Sequence, residues 1–437
     1  MSNIRNQNLI KYVLPTVLSS VCFFLFTIVD GIFVGHGVGT NALGAVNLVL
    51  PFTMIDNALF MLTTIGGVTI VAIRLGRGDQ AGANQAFLNS VGLTVIIACV
   101  LSGTGVFFCD FICALLGATD TFHDMAADYL FWYALFLIPS GLSVMLQGFC
   151  RNDGSPVLVS VSVIVSTVFN IFGDWLLIFP IPLGLKGAAI ATGVSQTLGL
   201  LIVLTHYIRK KGVLRLRTPH LQGALTKKIL LRGLPESISQ LATPVTTICM
   251  NRMLMQTVGE IGVNAFSIIS YVASFSIAIF FGTGEGLQPL FGQAYGAQNE
   301  KDLKYYFRAG LWINFIGSVA INLLLLLVGG RVCALFGADP ATLQFTVQAM
   351  PMYAWGFTVM SFNVMISSYL YSTKRSIQAI VINVLRSFLF NSIVIFTLPL
   401  LIGADFIWAT FGVYEALVLV VAVVLLKGSQ RKGILFQ

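Results

Sequence analysis

Charge is what this chain has least of. Only 10% of its 437 residues are Asp, Glu, Lys or Arg, against about 25% in soluble domains. That shortage excludes an ordinary soluble enzyme and a disordered chain. Histidine is scarce too. His36, His123, His206 and His220 fall at the ends of apolar runs or in loops, so neither a metal cluster nor a catalytic core is expected. The seven cysteines (Cys22, Cys99, Cys109, Cys113, Cys150, Cys249 and Cys333) are odd in number and form no CxxC. They read as small buried hydrophobes, not as a disulfide framework. No GxxxxGK[ST] occurs, so nothing on the chain is built to use ATP. The N-terminus lacks a short apolar core followed by a small-residue cleavage site, and its first apolar stretch is expected to remain as a helix.

Apolar residues dominate what is present. They make up 57% of the chain, and mean hydropathy is +0.88. A helical span needs about 20 apolar residues. Runs of that kind fall at 10–35, 45–73, 86–109, 125–148, 157–180 and 185–208. A second set falls at 233–256, 263–292, 306–329, 343–370, 378–399 and 404–426. The expectation is an all-α polytopic membrane protein with 12 transmembrane helices. The runs 45–73 and 263–292 exceed one span and are expected to tilt or to project beyond the bilayer.

The basic residues give the orientation. Of 25 Lys and Arg, all but Lys186, Arg252, Arg331 and Arg386 fall on one set of alternating loops. Eight of them crowd into 209–232: Arg209, Lys210, Lys211, Arg215, Arg217, Lys227, Lys228 and Arg232. By the positive-inside rule both termini are cytoplasmic and the span count is even. The net charge of +8 is accounted for by this asymmetry, and no nucleic-acid partner is needed. With no targeting extension, a bacterial cytoplasmic membrane is expected.

The chain repeats itself at an offset of 220. Leu14-Pro15 meets Leu234-Pro235, and Gly76 meets Gly296. Gly117-Ala118 meets Gly337-Ala338, Tyr133-Ala134 meets Tyr353-Ala354, and Val144-Met145 meets Val364-Met365. Two six-span halves of equal orientation are related by an axis along the membrane normal. The expected organisation is a lobe at 1–208, a basic cytoplasmic linker at 209–232 and a lobe at 233–437. Two lobes facing a cleft that opens at alternate ends make a transporter. No repeated pore filter argues for a channel.

Six acids fall inside spans: Asp30, Asp56, Asp174, Glu236, Glu285 and Glu415. Each costs about 2.5–3.5 kcal/mol at mid-membrane on insertion scales, so each is a functional candidate. Counting residues from the outer ends of their spans puts Asp30, Asp174 and Thr192 at one depth, ~9–10 Å below the outer surface. Asn170 precedes Asp174 by one turn, on the same helix face. Two carboxyls, an amide and a hydroxyl form an oxygen-rich cation site, suited to Na⁺ or to a carried proton. The offset turns Asp30 into Met250 and Asp174 into Val394, so this chemistry belongs to the N-terminal half. Glu236, Glu285 and Arg386 lie in inner halves of their spans and suit a structural ion pair or a gate. Asp56, near mid-span, is a candidate to face the cleft. The 34 Phe, 12 Met and 12 Tyr include side chains that can re-pack around lipophilic cations.

Two motif matches are set aside. Gly76-Arg77-Gly78-Asp79 fits the GxGD of intramembrane proteases but sits at a cytoplasmic helix end between arginines. Gly35-His36-Gly37-Val38-Gly39 has no strand before it, as a nucleotide site would need.

With these residues in place, the chain resembles the multidrug and toxic compound extrusion (MATE) family along nearly its whole length. The resemblance rests on Leu14-Pro15, on Val29-Asp30-Gly31-Ile32-Phe33-Val34-Gly35 and on Leu75-Gly76-Arg77-Gly78. It rests also on Leu183 to Gly193, on Pro289-Leu290 and on Tyr295-Gly296-Ala297. The resemblance implies two six-helix lobes in a V shape and antiport of organic cations against Na⁺ or H⁺ by a monomer, with no other cofactor. Asp30, Asn170, Asp174 and Thr192 match the cation site of DinF-type members. NorM-type members carry an acid where this chain has Thr243, which places it nearer the MepA-like and DinF-like groups. A lipid-linked oligosaccharide flippase of the same superfamily is the alternative; it would want several cationic residues in the cleft, and only Arg252 and Arg386 are available.

Overall fold

A computed structural model describes residues 2–38, 40–116, 123–218, 221–335 and 340–431. Gly39, Gly117, Ala118, His220, Gly337, Ala338 and Lys432, used in the sequence reading, lie outside these residues. Among the described residues there is no strand. A backbone that crosses lipid must satisfy its own polar groups, and helices are how a single segment does so.

Every one of the twelve apolar runs lies on helix. In the first half these are α1 (Ser2–Gly37), α2 (Thr40–Gly76), α3 (Gln80–Phe107), α4, α5 (Pro156–Ile178) and α6 (Leu185–Ile208). The α4 span consists of His123–Leu135 and Leu137–Asn152, bent by 52° at Phe136. In the second half α7 consists of Gly223–Gln240 and Ala242–Thr257. It is followed by α8 (Glu260–Gly296), α9 (Glu300–Leu335), α10 (Pro340–Ser372), α11 (Ser376–Ile402) and α12 (Thr410–Arg431). Among the described residues nine helices are long and apolar enough to cross a membrane, ten if the bent α4 counts as one span. The run 233–256 falls short because α7 is divided at Leu241. The run 343–370, although helical, carries Gln344, Gln348 and Asn363 among its apolar residues. The long runs are long helices: α2 and α8 each have 37 residues.

The chain divides into two compact units, Met1–Gly233 and Leu234–Gln437. Their internal details repeat at the offset of 220. Asp79 Oδ1 caps α3 by accepting from Gly82 N at 2.8 Å, and Asn299 Oδ1 caps α9 by accepting from Asp302 N at 3.1 Å. The residue before each cap is left-handed, Gly78 at φ 78° and Gln298 at φ 56°. So are Gly154 (φ 96°) and Lys374 (φ 65°). Pro15 and Pro235 lie within α1 and α7, and each carbonyl accepts from a side chain in the fifth helix of its half. The donors are Ser160 Oγ and Asn383 Nδ2, both at 2.6 Å.

The basic segment 209–232 is more than a tether. Leu214, Leu225 and Ile229 are buried in the first unit's core with Phe87, Met145, Phe149 and Tyr207. Asp153 holds its first turn: Oδ1 accepts from Val213 N at 2.8 Å, and Oδ2 accepts from Leu214 N at 3.1 Å. His206 Nε2 lies 3.0 Å from the same Oδ2. The helix then starts at Gly223, before the apolar run, and crosses α2 backbone to backbone. Gly66 packs against the Ile229 carbonyl and Gly233 against the Leu62 carbonyl, with no room for a Cβ at either. The second unit packs around an aromatic column in which Phe411 stacks on Tyr353 at 4.6 Å.

Candidate cation site

Lipid gives helices no hydrophobic reason to associate, so small residues decide how closely they approach. Along α5 and α6 those residues are glycines. A Cβ on Gly173 would sit 3.0 Å from the Ala191 Cβ, one on Gly187 would meet the Leu177 carbonyl at 2.6 Å, and Gly193 lies against the Phe136 ring. This close crossing brings the polar face of α5 onto Thr192 of α6.

The three residues singled out by depth, and Asn170 one turn below Asp174, meet there. Asn170 and Asp174 are fully buried on α5. The Asn170 amide, in the orientation that satisfies both of its ends, donates to Asp174 Oδ2 at 3.2 Å and accepts from Thr192 N at 3.1 Å. Turned over, its nitrogen faces Thr192 Oγ1 at 3.4 Å, the weaker arrangement. From α1, the Asp30 carboxyl comes within hydrogen-bonding reach of Asp174. A carboxyl–carboxyl hydrogen bond requires that one of the pair carry a proton, since an ionised carboxylate only accepts. Asp30 Oδ1 and Asp174 Oδ1 are nevertheless buried with no hydrogen-bond partner among the described residues. Two such oxygens, beside an amide and a hydroxyl, are a donor set for a proton or a hard monovalent cation.

Two tyrosines that the sequence reading did not pick out lie among the first unit's acids. Tyr133 Oη donates to Asp56 Oδ2 at 2.7 Å, and Tyr129 stacks on Tyr133 with centroids 6.1 Å apart. Tyr129 sits within the electrostatic reach of Asp30, Asp174 and Asp56. The i, i+4 spacing of Tyr129 and Tyr133 was visible in the sequence. The acid opposite them was not, because the bend at Phe136 sets which way the helix faces.

Asp56 therefore stands apart from the other three residues grouped with it as a cleft or gate. Glu236, Glu285 and Arg386 line one small cavity in the second unit with Ser239, Tyr371 and Asn383. The space at its centre is about 10 Å³, room for about one water molecule and far too little for a drug. The ion pair the structure shows for Arg386 is with Glu415, Nε to Oε1 at 2.7 Å. Asn363 Nδ2 donates to Glu415 Oε2, also at 2.7 Å. A π-helical turn, Leu385–Leu389, carries the arginine. Its extra residue shifts Arg386 off the face that a regular helix would give it.

Comparisons with known proteins bear on this arrangement. A family model described as MatE matches residues 15–176 and again 235–397, two stretches that begin 220 residues apart. A multidrug export protein MepA of Staphylococcus haemolyticus is 24% identical over 338 residues, 76% of this chain and 74% of the relative. An FAD transporter of Shewanella oneidensis is 23% identical over 419 residues, 94% of this chain and 90% of the relative. The crystal structure of a Vibrio cholerae MATE transporter superposes with a TM-score of 0.92 at 18% identity, covering 100% of this chain and 99% of the other.

Proposed function

The chain belongs to the MatE family of multi-pass membrane transporters, and from that premise we propose that it exports lipophilic organic cations in exchange for H⁺ or Na⁺. The coupling cation is taken up at Asp30, Asn170, Asp174 and Thr192. The observation that carries this reading is the buried carboxyl pair, each member with one oxygen unpartnered in a helix crossing of the first unit. A buried carboxylate left without a partner is costly, so the pair gains by taking up a proton, Na⁺ or a cationic substrate. Competition among these is the coupling. The incoming ion neutralises the pair and removes what held the drug cation. The protein works as a monomer in a bacterial cytoplasmic membrane with both termini inside.

Two carboxyls also bear on stoichiometry. Exchange of one monovalent cation for one monovalent drug moves no net charge and draws only on the ion's concentration gradient. Exchange of two moves one net charge, worth about 2.3 kcal/mol per 100 mV. That corresponds to roughly fifty-fold additional accumulation, at 1.36 kcal/mol per decade.

The FAD transporter relative, aligned over 94% of this chain, motivates a second reading in which the cargo is an anionic dinucleotide. One experiment addresses both. Purified protein in liposomes is given ethidium or FAD under a Na⁺ gradient or a pH gradient, each imposed separately. The expected result is ethidium movement under one gradient, lost in Asp174→Asn while that variant still elutes as folded protein. FAD movement without ethidium movement would replace the cargo, and normal ethidium transport by Asp174→Asn would remove the carboxyl pair from the mechanism.

A further inference from the structure

The polar face of α5 does not stop at the cation site. Ser162, Ser166, Asn170 and Asp174 follow one another at intervals of four residues, and all four are buried. Between them Val161, Val165, Val168 and Phe169 are exposed, as residues facing lipid should be. The polar stripe rises ~18 Å along the helix, over half of a hydrocarbon core of about 30 Å. It runs from the carboxyl pair toward the end of α5 that the basic loops mark as cytoplasmic.

At the lower half of the stripe three hydroxyls converge. A Cβ built on Gly199 of α6 would lie 2.6 Å from Ser166 Oγ and 3.3 Å from each of Ser143 Oγ and Ser162 Oγ. The glycine's missing side chain leaves the space that all three border. Two of the hydroxyls have ordinary structural bonds. Ser162 Oγ donates to Gly199 O at 2.9 Å, and Ser143 Oγ accepts from Gln147 Nε2 at 2.9 Å. Ser166 does not: its Oγ is buried with no partner among the described residues. Helices that only needed to pack would place alanine there, since an unpaired hydroxyl in an apolar interior is unfavourable.

We propose that Ser143, Ser162 and Ser166, gathered around Gly199, form the inward exit route of the coupling cation from the Asp30–Asp174 pair. The inference rests on the reading that the pair carries that cation. No hydrogen bond among the described residues joins the three hydroxyls to one another or to Asp174, so a proton crosses through waters held between them, each oxygen gaining one proton as it gives up another. Na⁺ instead exchanges carboxylate oxygens for hydroxyl oxygens and the Gly199 carbonyl. Both ions use the same oxygen ligands, and the test separates them.

The test compares full-length native protein, Ser162→Ala/Ser166→Ala and Ser166→Thr in liposomes. Ethidium–ethidium exchange is measured without any gradient, and net ethidium transport under Na⁺ or pH gradients applied separately. Exchange requires no cation to cross. The double variant is expected to keep exchange within twofold of native and to lose at least tenfold of net transport, with Ser166→Thr near native. The gradient whose effect is lost names the ion. Net transport within twofold of native in the double variant would overturn the route. Loss of exchange in parallel would do so too, because it would mark the serines as packing residues. If Asp174→Asn transports normally in the same liposomes, the pair fails as the coupling site and the route falls with it.

Discussion

Replacing Arg386 by Met tests how the second unit tolerates charge in its interior. The Arg386 side chain is 7% exposed and that of Glu415 is 1% exposed. Their 2.7 Å contact is completed by Asn363 on the other carboxylate oxygen. Arg386→Met removes the cation while keeping most of the volume, and leaves Glu415 buried with only an amide to answer it. Breaking a buried pair in this way costs about 3–5 kcal/mol, whereas exchanging both partners for apolar residues of similar size is often neutral or better. The single variant is therefore expected to lose that amount, and Arg386→Met/Glu415→Leu to recover most of it. Part of the recovery is withheld, because Asn363 then loses its carboxylate acceptor and keeps only the Glu415 main-chain carbonyl, 2.8 Å away.

The assay is unfolding in mixed micelles of rising dodecyl sulfate fraction, followed by tryptophan fluorescence. Trp408 is buried in the same unit and reports on it. The ordering matters more than any single value: native and double variant close together, single variant well below. A single variant as stable as native would refute the reasoning, since it would mean that Glu415 is neutralised without Arg386. A double variant as unstable as the single one would refute it differently, by showing that shape and not charge makes the site.

Two further outcomes follow from the first unit. Asp153→Asn removes the carboxylate that serves His206, Val213 N and Leu214 N. Limited trypsin digestion is expected to cut faster at Arg209 to Arg217 in this variant, and unchanged cutting would mean that Leu214 and Ile229 alone hold the segment. Tyr133→Phe leaves a buried Asp56 oxygen without its hydroxyl donor, at a cost of about 1–3 kcal/mol. Chemical unfolding in micelles checks this, and native stability would show that Asp56 has another donor.

How much of this could be read in the sequence follows from how each feature is encoded. Asp30, Asn170, Asp174 and Thr192 could be grouped because depth depends only on counting residues along straight helices, and inserting a carboxyl without need is expensive. Their meeting was not in the count. It depends on Gly173 and Gly187, which set how closely α5 and α6 cross, and on Gly193, which lets α6 close on Phe136 of α4. Glu415 as the ion-pair partner of Arg386 is not legible in the sequence either. A π-helical turn adds a residue to one turn, so any face assigned with a 3.6-residue period is wrong beyond it. The 209–232 segment was concealed by composition: eight basic residues advertise solvent, while Leu214, Leu225 and Ile229 among them are buried.

The repeat explains where the two halves had freedom to diverge. Caps, left-handed turns and the proline carbonyls coincide at an offset of 220 because they build the helical frame that both halves share. At that offset Asp30 and Asp174 correspond to Met250 and Val394, and Glu415 with Arg386 has no counterpart pair in the first half. One frame thus holds two polar clusters of different kinds. The first half leaves carboxyl oxygens unpartnered, while the second closes its buried charge with a guanidinium and an amide. The unclosed cluster has a reason to take up an ion that the Glu415–Arg386 pair lacks, and that difference is the ground for proposing the coupling chemistry in the N-terminal unit.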